Sequence, residues 1–394
     1  MKLKLAILGN PPRYPEKLFL TRPTVPTLEE LEPYIKDILQ NRWLTNNGKY
    51  VVEIEERLRE YLSTKYCSVF CNGTLALQLA ISSMRLSGEV ITTPFSFAAS
   101  THVLYWNQIT PVFCDIDPDT YNIDATKVES LISPRTTAIL PVHVFGNPCD
   151  YRALSKIASY HGLKIIYDAA HAFGVKLHKR SIGSLGDASV FSFHATKLYN
   201  TIEGGAVTCK DRNLDIRLKD MRNFGIRNEE EVIAPGINAK MNEMQAIFGL
   251  LNLRKVDHGI QQRKLRYEAY REALIKIPGI KFQKIAPDVE YNYAYCSVAI
   301  DPKEFGLTRN QVYRCFRAEG ILVRKYFYPL ISSFPCYSSL PSADKSRLPT
   351  AALVSDRILC LPLFEDLPLH DISNIIELMG LFHQNSTEIS RVVN

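Results

Sequence analysis

The stretch Ile165-Ile166-Tyr167-Asp168-Ala169-Ala170-His171-Ala172-Phe173-Gly174 decides how this chain is read. It opens as the end of an apolar strand, Leu163 to Tyr167, and sets a carboxylate at the strand's mouth. Downstream, Ser192-Phe193-His194-Ala195-Thr196-Lys197 places a lysine on a polar loop that follows a second apolar run. Pyridoxal 5'-phosphate chemistry needs such a pair. The lysine amine forms a Schiff base with the cofactor aldehyde, and the carboxylate keeps the pyridine nitrogen protonated so that the ring draws electrons from the substrate carbon. Taken singly, each residue has a plainer reading: an Asp after a strand is commonly a turn or cap residue, and a lone Lys a solvated charge. Their order and spacing, together with the motifs around them, favour the chemistry.

Working outward, apolar runs recur at Tyr66 to Cys71, Val90 to Thr92, Pro111 to Phe113, Ala138 to Val144, Ala188 to Phe193 and Ala206 to Cys209. Amphipathic helical patterns fall between them, as at Glu53 to Leu62 and Thr74 to Met84. Strands separated by helices predict an α/β fold with a mostly parallel sheet covered on both faces. Ligands in such sheets bind beyond the carboxyl ends of the strands. One long helix is expected from about Met241 to Ala273, carrying Leu250, Leu251, Leu253 and Val256. It would lead from a large region, residues 1–254, into a smaller α+β region, residues 255–394, which contains Pro278-Gly279 and many Tyr and Phe residues.

With 394 residues the chain exceeds the comfortable size of a single core, so two domains are expected. Apolar residues make up 46% and charged residues 22%, which argues against disorder and against a membrane protein. The start, Met1 to Pro12, reads as a poor signal peptide, and no apolar run reaches the length of a membrane span. Nine cysteines are scattered without a Cys-x-x-Cys pair, and Cys67, Cys71, Cys114 and Cys209 lie inside apolar runs. They read as reduced thiols of a cytoplasmic protein. The net charge of +6 comes from dispersed Lys and Arg, without the basic block of a nucleic-acid surface; it suits a small anionic ligand.

Further motifs point to one edge of the sheet. Cys71-Asn72-Gly73-Thr74 follows a strand and opens a helix, so the amides of Gly73 and Thr74 and the Thr74 hydroxyl are placed to face an anion, either as a phosphate cup or as a simple turn with a Thr cap. Ser192 is placed to add a hydroxyl to the same phosphate. Phe97, in Thr93-Pro94-Phe95-Ser96-Phe97, ends another strand where an aromatic ring can stack on a flat heterocycle, although most such residues are core. His171 is three residues beyond Asp168, within reach of the same ligand. The chain has no Gly-x-Gly-x-x-Gly, no Gly-x-x-x-x-Gly-Lys-Ser/Thr and no His-Glu-x-x-His, so nicotinamide, ATP and zinc-hydrolase readings lose their usual support.

The set Asn72-Gly73-Thr74, Pro94-Phe95-Ser96-Phe97, Asp168-Ala169-Ala170-His171, Ser192 to Lys197, Glu203-Gly204-Gly205 and Gly236 to Ala246 resembles the DegT/DnrJ/StrS family of sugar aminotransferases, in order, from about Leu44 to the end. The resemblance implies a fold-type I pyridoxal-phosphate aminotransferase with a seven-stranded-type sheet in its large domain. It implies that Lys197 carries the cofactor covalently and that Asp168 pairs with its ring nitrogen. Phe97 would stack on one ring face, His171 would lie near the ring and its phenolic oxygen, and Gly73, Thr74 and Ser192 would hold the phosphate. Asn238 would reach the phosphate of a neighbouring subunit, so that a homodimer shares its active sites. Tyr326, in Arg324-Lys325-Tyr326-Phe327-Tyr328-Pro329-Leu330, would lie near the substrate.

The activity so implied is transfer of an amino group from glutamate to a keto-sugar nucleotide. Trp43-Leu44-Thr45-Asn46-Asn47-Gly48 and the Tyr-Phe-Tyr-Pro-Leu run resemble the subgroup acting at C4 of dTDP-4-keto-6-deoxyglucose, whose product, dTDP-4-amino-4,6-dideoxyglucose, is an O-antigen or lipopolysaccharide precursor. Amination at C3, and GDP- or UDP-linked sugars, stay open. Two rivals of other kinds are a sugar dehydratase on the same fold, whose members replace the lysine at position 197 by histidine, and a cofactor-binding regulatory protein without turnover. No nucleic-acid, membrane or metal partner is expected.

Overall fold

A computed structural model describes residues 5–393 of the chain. Seven strands form the main sheet: β1 (Tyr66–Phe70), β2 (Glu89–Thr92), β3 (Thr110–Phe113), β4 (Thr136–Leu140), β5 (Lys164–Asp168), β6 (Ala188–Ser192) and β7 (Gly205–Cys209). Their order across the sheet is β1-β7-β6-β5-β4-β2-β3, and only β7 runs against its neighbours. The parallel strands are buried on both faces, which is why their sequences read as unbroken apolar runs. The strand carrying the opening stretch includes Asp168 as its last residue, and Asp168 N donates to Pro141 O at 2.9 Å.

Helices cover both faces. Of these, α1 (Lys49–Tyr61) lies over one side with Val51, Ile54 and Leu58 buried against the sheet, and α2 (Gly73–Ser83) fills the other with Ala76, Leu77, Leu79, Ala80 and Ile81. A buried leucine such as Leu77 or Leu79 stabilises the fold by about 1.5–3 kcal/mol. Asn72 caps α2, its side-chain oxygen accepting from Leu75 N at 2.8 Å. The amino end of α1 is closed differently: Gly48 has no side chain to cap with, and the buried carboxylate of Glu243 accepts from Tyr50 N (2.9 Å) and Val51 N (3.1 Å).

The long helix expected from Met241 to Ala273 is two helices, α3 (Glu243–Leu253) and α4 (Val256–Leu274). The ladder breaks at Lys255, whose N–H reaches back only to Asn252 O at 2.9 Å. Asn252 is held by its own side chain to Thr24 O and Asn200 O, so the first helix is pinned to the large sheet. After the break α4 carries Tyr267, Tyr270 and Leu274 into a second core. That core surrounds a three-stranded antiparallel sheet of β8 (Ile280–Phe282), β9 (Cys296–Ile300) and β10 (Ile358–Leu361), ordered β8-β9-β10. Leu5 packs into this second core, and Leu18 bridges Ile321.

A further apolar cluster brings the two regions together beside the strand ends, with Phe113 from the end of β3 and Phe95 and Phe145 from the large sheet's loops meeting Phe327, Ile331 and Ile358. The loop bearing Arg324 and Tyr326 is thereby laid across the carboxyl ends of β5 and β6. Among the described residues no helix is long and apolar enough to cross a membrane.

Candidate active site

A cavity of about 660 Å³ opens at this junction. Its floor is the meeting of three backbone segments: the start of α2, the end of β6 and the start of β7. Phe70 and Ser192 both pair with Gly205 across the sheet. A Cβ on Gly205 would stand 2.7 Å from Gly73 Cα, and a Cβ on Gly73 would stand 2.8 Å from Ser192 Cβ. Only glycines allow so close an approach. The result is a cradle in which the first N–H groups of α2, the Thr74 side chain and the Ser192 hydroxyl surround one small volume at the positive end of a helix.

Above the cradle, Asp168 presents its carboxylate from the end of β5 and is only 8% exposed. Oδ1 accepts from Ala170 N at 3.0 Å, and Oδ2 accepts from Ser100 Oγ at 2.7 Å. Ser96 Oγ lies 2.7 Å from Ser100 Oγ, extending the chain of hydroxyls. Burial pushes the Asp168 carboxyl above the usual range, opposed by Ser100, the Ala170 N–H and the charge of Lys197. A cation against this carboxylate would therefore be strongly held.

Lys197 enters from the loop after β6. Its Nζ donates to Tyr295 Oη at 3.4 Å. Burial lowers its pKa, with Asp168 and Tyr326 pulling the other way. An ammonium made less stable in this way is more often the free amine, the nucleophilic form. His171 is also buried, and burial followed by the nearby lysine charge drives its pKa well below the ordinary histidine value. Its Nδ1 accepts from Phe145 N at 3.3 Å, so the neutral ring carries its proton on Nε2. The imidazole stacks on Phe327 with centroids 5.8 Å apart and planes 4° apart.

Of the residues expected from the sequence, the structure gathers Gly73, Thr74, Phe97, Asp168, His171, Ser192, Lys197 and Tyr326 around this one cavity. Phe97 is 56% exposed on its rim, while its neighbour Phe95 is the core residue. Asn238 does not line the cavity: it is exposed on a separate segment, bridging Asn223. The sequence reading missed Ser100, which donates to Asp168, and Tyr295 and Arg324, which line the cavity. Arg324 stacks its guanidinium 4.6 Å over the Tyr326 ring and, among the described residues, forms no ion pair. The run Tyr291-Asn292-Tyr293-Ala294-Tyr295 was the one visible sign of the second of these.

The donor set fits pyridoxal 5'-phosphate: a phosphate-sized cradle without side chains in the way, a buried carboxylate for a protonated ring nitrogen, an aromatic rim, and an amine of lowered pKa.

Comparisons with known proteins agree with this geometry. The model of the DegT/DnrJ/EryC1/StrS aminotransferase family matches residues 27–380. The chain is 43% identical over 363 residues to the dTDP-4-amino-4,6-dideoxy-D-glucose transaminase of Escherichia coli, covering 91% of this chain and 97% of that protein. It is 33% identical over 316 residues to the GDP-perosamine synthase of Caulobacter vibrioides, covering 79% and 85%. Its structure resembles that of DesI, solved in the presence of its TDP-sugar product, with a TM-score of 0.94 and 37% identity over 98% of both chains.

Proposed function

The chain belongs to the DegT/DnrJ/EryC1/StrS aminotransferase family, and from that membership we propose that it moves an amino group from glutamate to C4 of a nucleotide-linked 4-keto-6-deoxy sugar, giving dTDP-4-amino-4,6-dideoxyglucose. It is a pyridoxal-phosphate-dependent sugar aminotransferase. The observation that carries the reading is that Lys197 and Asp168, on separate strands' ends, share one cavity with a glycine-floored cradle. The relatives named for the dTDP-linked 4-amino sugar, at 41–43% identity, support the choice of carbon and nucleotide over the GDP-linked alternative.

In this reading Gly73, Thr74 and Ser192 hold the cofactor phosphate, Phe97 covers one ring face and His171 stands near the other polar edge. When bound, the cofactor supplies an electron-withdrawing ring to which the donor nitrogen is joined. Asp168 sustains that pull by keeping the ring nitrogen protonated. Lys197 would anchor the cofactor, and its Nζ would serve as the base and acid that moves a proton from the donor's α-carbon. The sugar half of the reaction uses the same amine in the opposite sense. Arg324, at the mouth, holds an anionic group of the incoming substrate, and Tyr326 packs beside the sugar.

The active sites are shared across a homodimer in the cytoplasm, with Asn238 reaching the partner's cofactor phosphate. Exposed apolar side chains support an interface there: Phe224 beside Asn238, and Leu44 beside Met244. The division into residues 1–254 and 255–394, and a place in O-antigen or lipopolysaccharide precursor synthesis without nucleic-acid or membrane partners, complete the proposal.

The test is incubation of the purified protein with cofactor, nitrogen-15 glutamate and dTDP-4-keto-6-deoxyglucose. The label is expected at C4 by NMR. Label at C3, or turnover only with GDP- or UDP-linked ketones, would overturn the substrate while leaving the transferase. A cofactor-loaded protein that turns over none of these ketones would favour the regulatory reading.

A further inference from the structure

Lys197 has to act twice in each half-reaction, and between its two acts its amine is attached to nothing. A lysine carries its charge on a flexible four-carbon stem, so a free amine drifts from the reacting atoms unless something holds it. Asp168 does not hold it: among the described residues the two form no ion pair, and both oxygens of that carboxylate already accept from Ala170 N and Ser100 Oγ. The hydrogen bond that Nζ makes is to Tyr295 Oη, at 3.4 Å.

Tyr295 is built to keep that oxygen still. It lies immediately before β9, so its backbone is tied to the small sheet. Its ring is walled by three aromatic neighbours: His171 at 4.9 Å, Phe145 at 5.3 Å and Tyr326 at 5.9 Å between centroids. Burial pushes the phenol well above its ordinary pKa, so it remains a hydroxyl. A hydroxyl both accepts and donates, and so serves the ammonium and the amine alike. The other titratable or charged groups facing Nζ are Asp168 and His171 from the large sheet and Tyr326 and Arg324 from the loop across it.

We infer that Tyr295 is a positioning residue for Lys197, its hydroxyl keeping the freed amine over the reaction centre between the two proton transfers. The inference rests on the aminotransferase reading above and adds a residue from the small sheet to the machinery of the large one.

Tyr295→Phe tests it, because the ring and its packing stay and only Oη is lost. Two readouts are needed. In the cofactor-free protein, acetylation of Lys197 by a water-soluble ester, followed by peptide mass spectrometry, should be at least about threefold faster in the variant, since an untethered amine is more often free and mobile. In the loaded protein, the single-turnover reaction with glutamate, followed by loss of the lysine-bound chromophore, should slow by about tenfold to a hundredfold, the scale of a misplaced reacting group, with little change in KM. Tyr293→Phe, whose ring packs on Tyr267 and Tyr291 instead, should match the wild type in both. Wild-type labelling or a wild-type half-reaction rate in Tyr295→Phe overturns the inference. A wild-type protein inert toward glutamate would sink the transferase reading instead, and the labelling experiment would still decide the role of Tyr295. If Tyr295→Phe fails to fold by circular dichroism, Tyr295→His, which loses Oη, replaces it in the same assays and should shift both readouts in the same directions; wild-type values in either overturn the inference.

Discussion

Asp168 is placed against its own interest. Its carboxylate is buried, which raises its pKa and makes the charged form costly until a cation lies beside it. The sign follows from linkage: a carboxyl whose folded pKa is raised contributes stability that is present below its unfolded value, near 4, and lost as pH rises through the folded value. Cofactor-free Asp168→Asn should therefore melt higher than cofactor-free wild type at neutral pH, with the gap closing toward about pH 4; a constant gap in thermal scans would refute this. The same variant, loaded with cofactor, should lose at least about a hundredfold in rate, the scale of removing one electrostatic contact from a dry site. Near-normal turnover would remove Asp168 from the mechanism. Both this residue and Lys197 were legible in the sequence because each ends or follows an apolar strand and no local structural need explains the pair. Ser100, Tyr295 and Arg324 were not: Ser100 and Tyr295 meet Asp168 and Lys197 from distant stretches of chain, and Arg324, stacked on its near neighbour Tyr326, reaches the cavity only because its loop is folded over it.

At the scale of elements, the cradle is a junction and not a loop. The start of α2, the end of β6 and the start of β7 meet so closely that Gly73→Ala sets a methyl group 2.8 Å from Ser192 Cβ. The expected outcome is cofactor affinity weakened by about tenfold or more, measured by equilibrium dialysis, because backbone has to move to admit the methyl and the helix N–H groups move with it. Unchanged affinity would show that the cup lies elsewhere. Six of the seven strands were readable to within a residue, since a strand buried on both faces is apolar throughout; the seventh, expected over Ala138 to Val144, runs Thr136–Leu140, because the apolar run continues past the strand into the loop. The single helix expected over Met241 to Ala273 was not, because its pattern runs on through Arg254 and Lys255 while the break is made by Asn252 reaching Thr24 and Asn200. Glu243→Gln tests a similar long-range tie. A neutral amide offers one acceptor where two N–H groups wait, so the variant should lose about 1–3 kcal/mol in denaturant unfolding; a wild-type midpoint would mean that water satisfies the end of α1.

At the scale of the whole molecule, Asn238 is exposed and away from the cavity of its own chain, as a residue serving a neighbour has to be. Mixing Lys197→Ala chains with Asn238→Ala chains should produce heterodimers in which one site has both defects and the other neither. About a quarter of wild-type activity should return at equal mixing, provided Asn238→Ala alone is impaired, because half the dimers are mixed and each has one sound site. No recovery, or a fully active monomer in sedimentation, would place Asn238 outside the partner's site. The clasp of Glu243 on α1 reaches further than the finished protein. Its acceptor lies 193 residues downstream of the N–H it satisfies, and β1, at the edge of the sheet, likewise waits for β7. At about 5–20 residues per second on the ribosome, α1 emerges roughly 10–40 s before Glu243, and β1 roughly 7–28 s before β7. Nascent chains halted before position 243 should be cut by protease within α1, and released chains that include Leu253 should not, an exposure during synthesis that the folded molecule never shows.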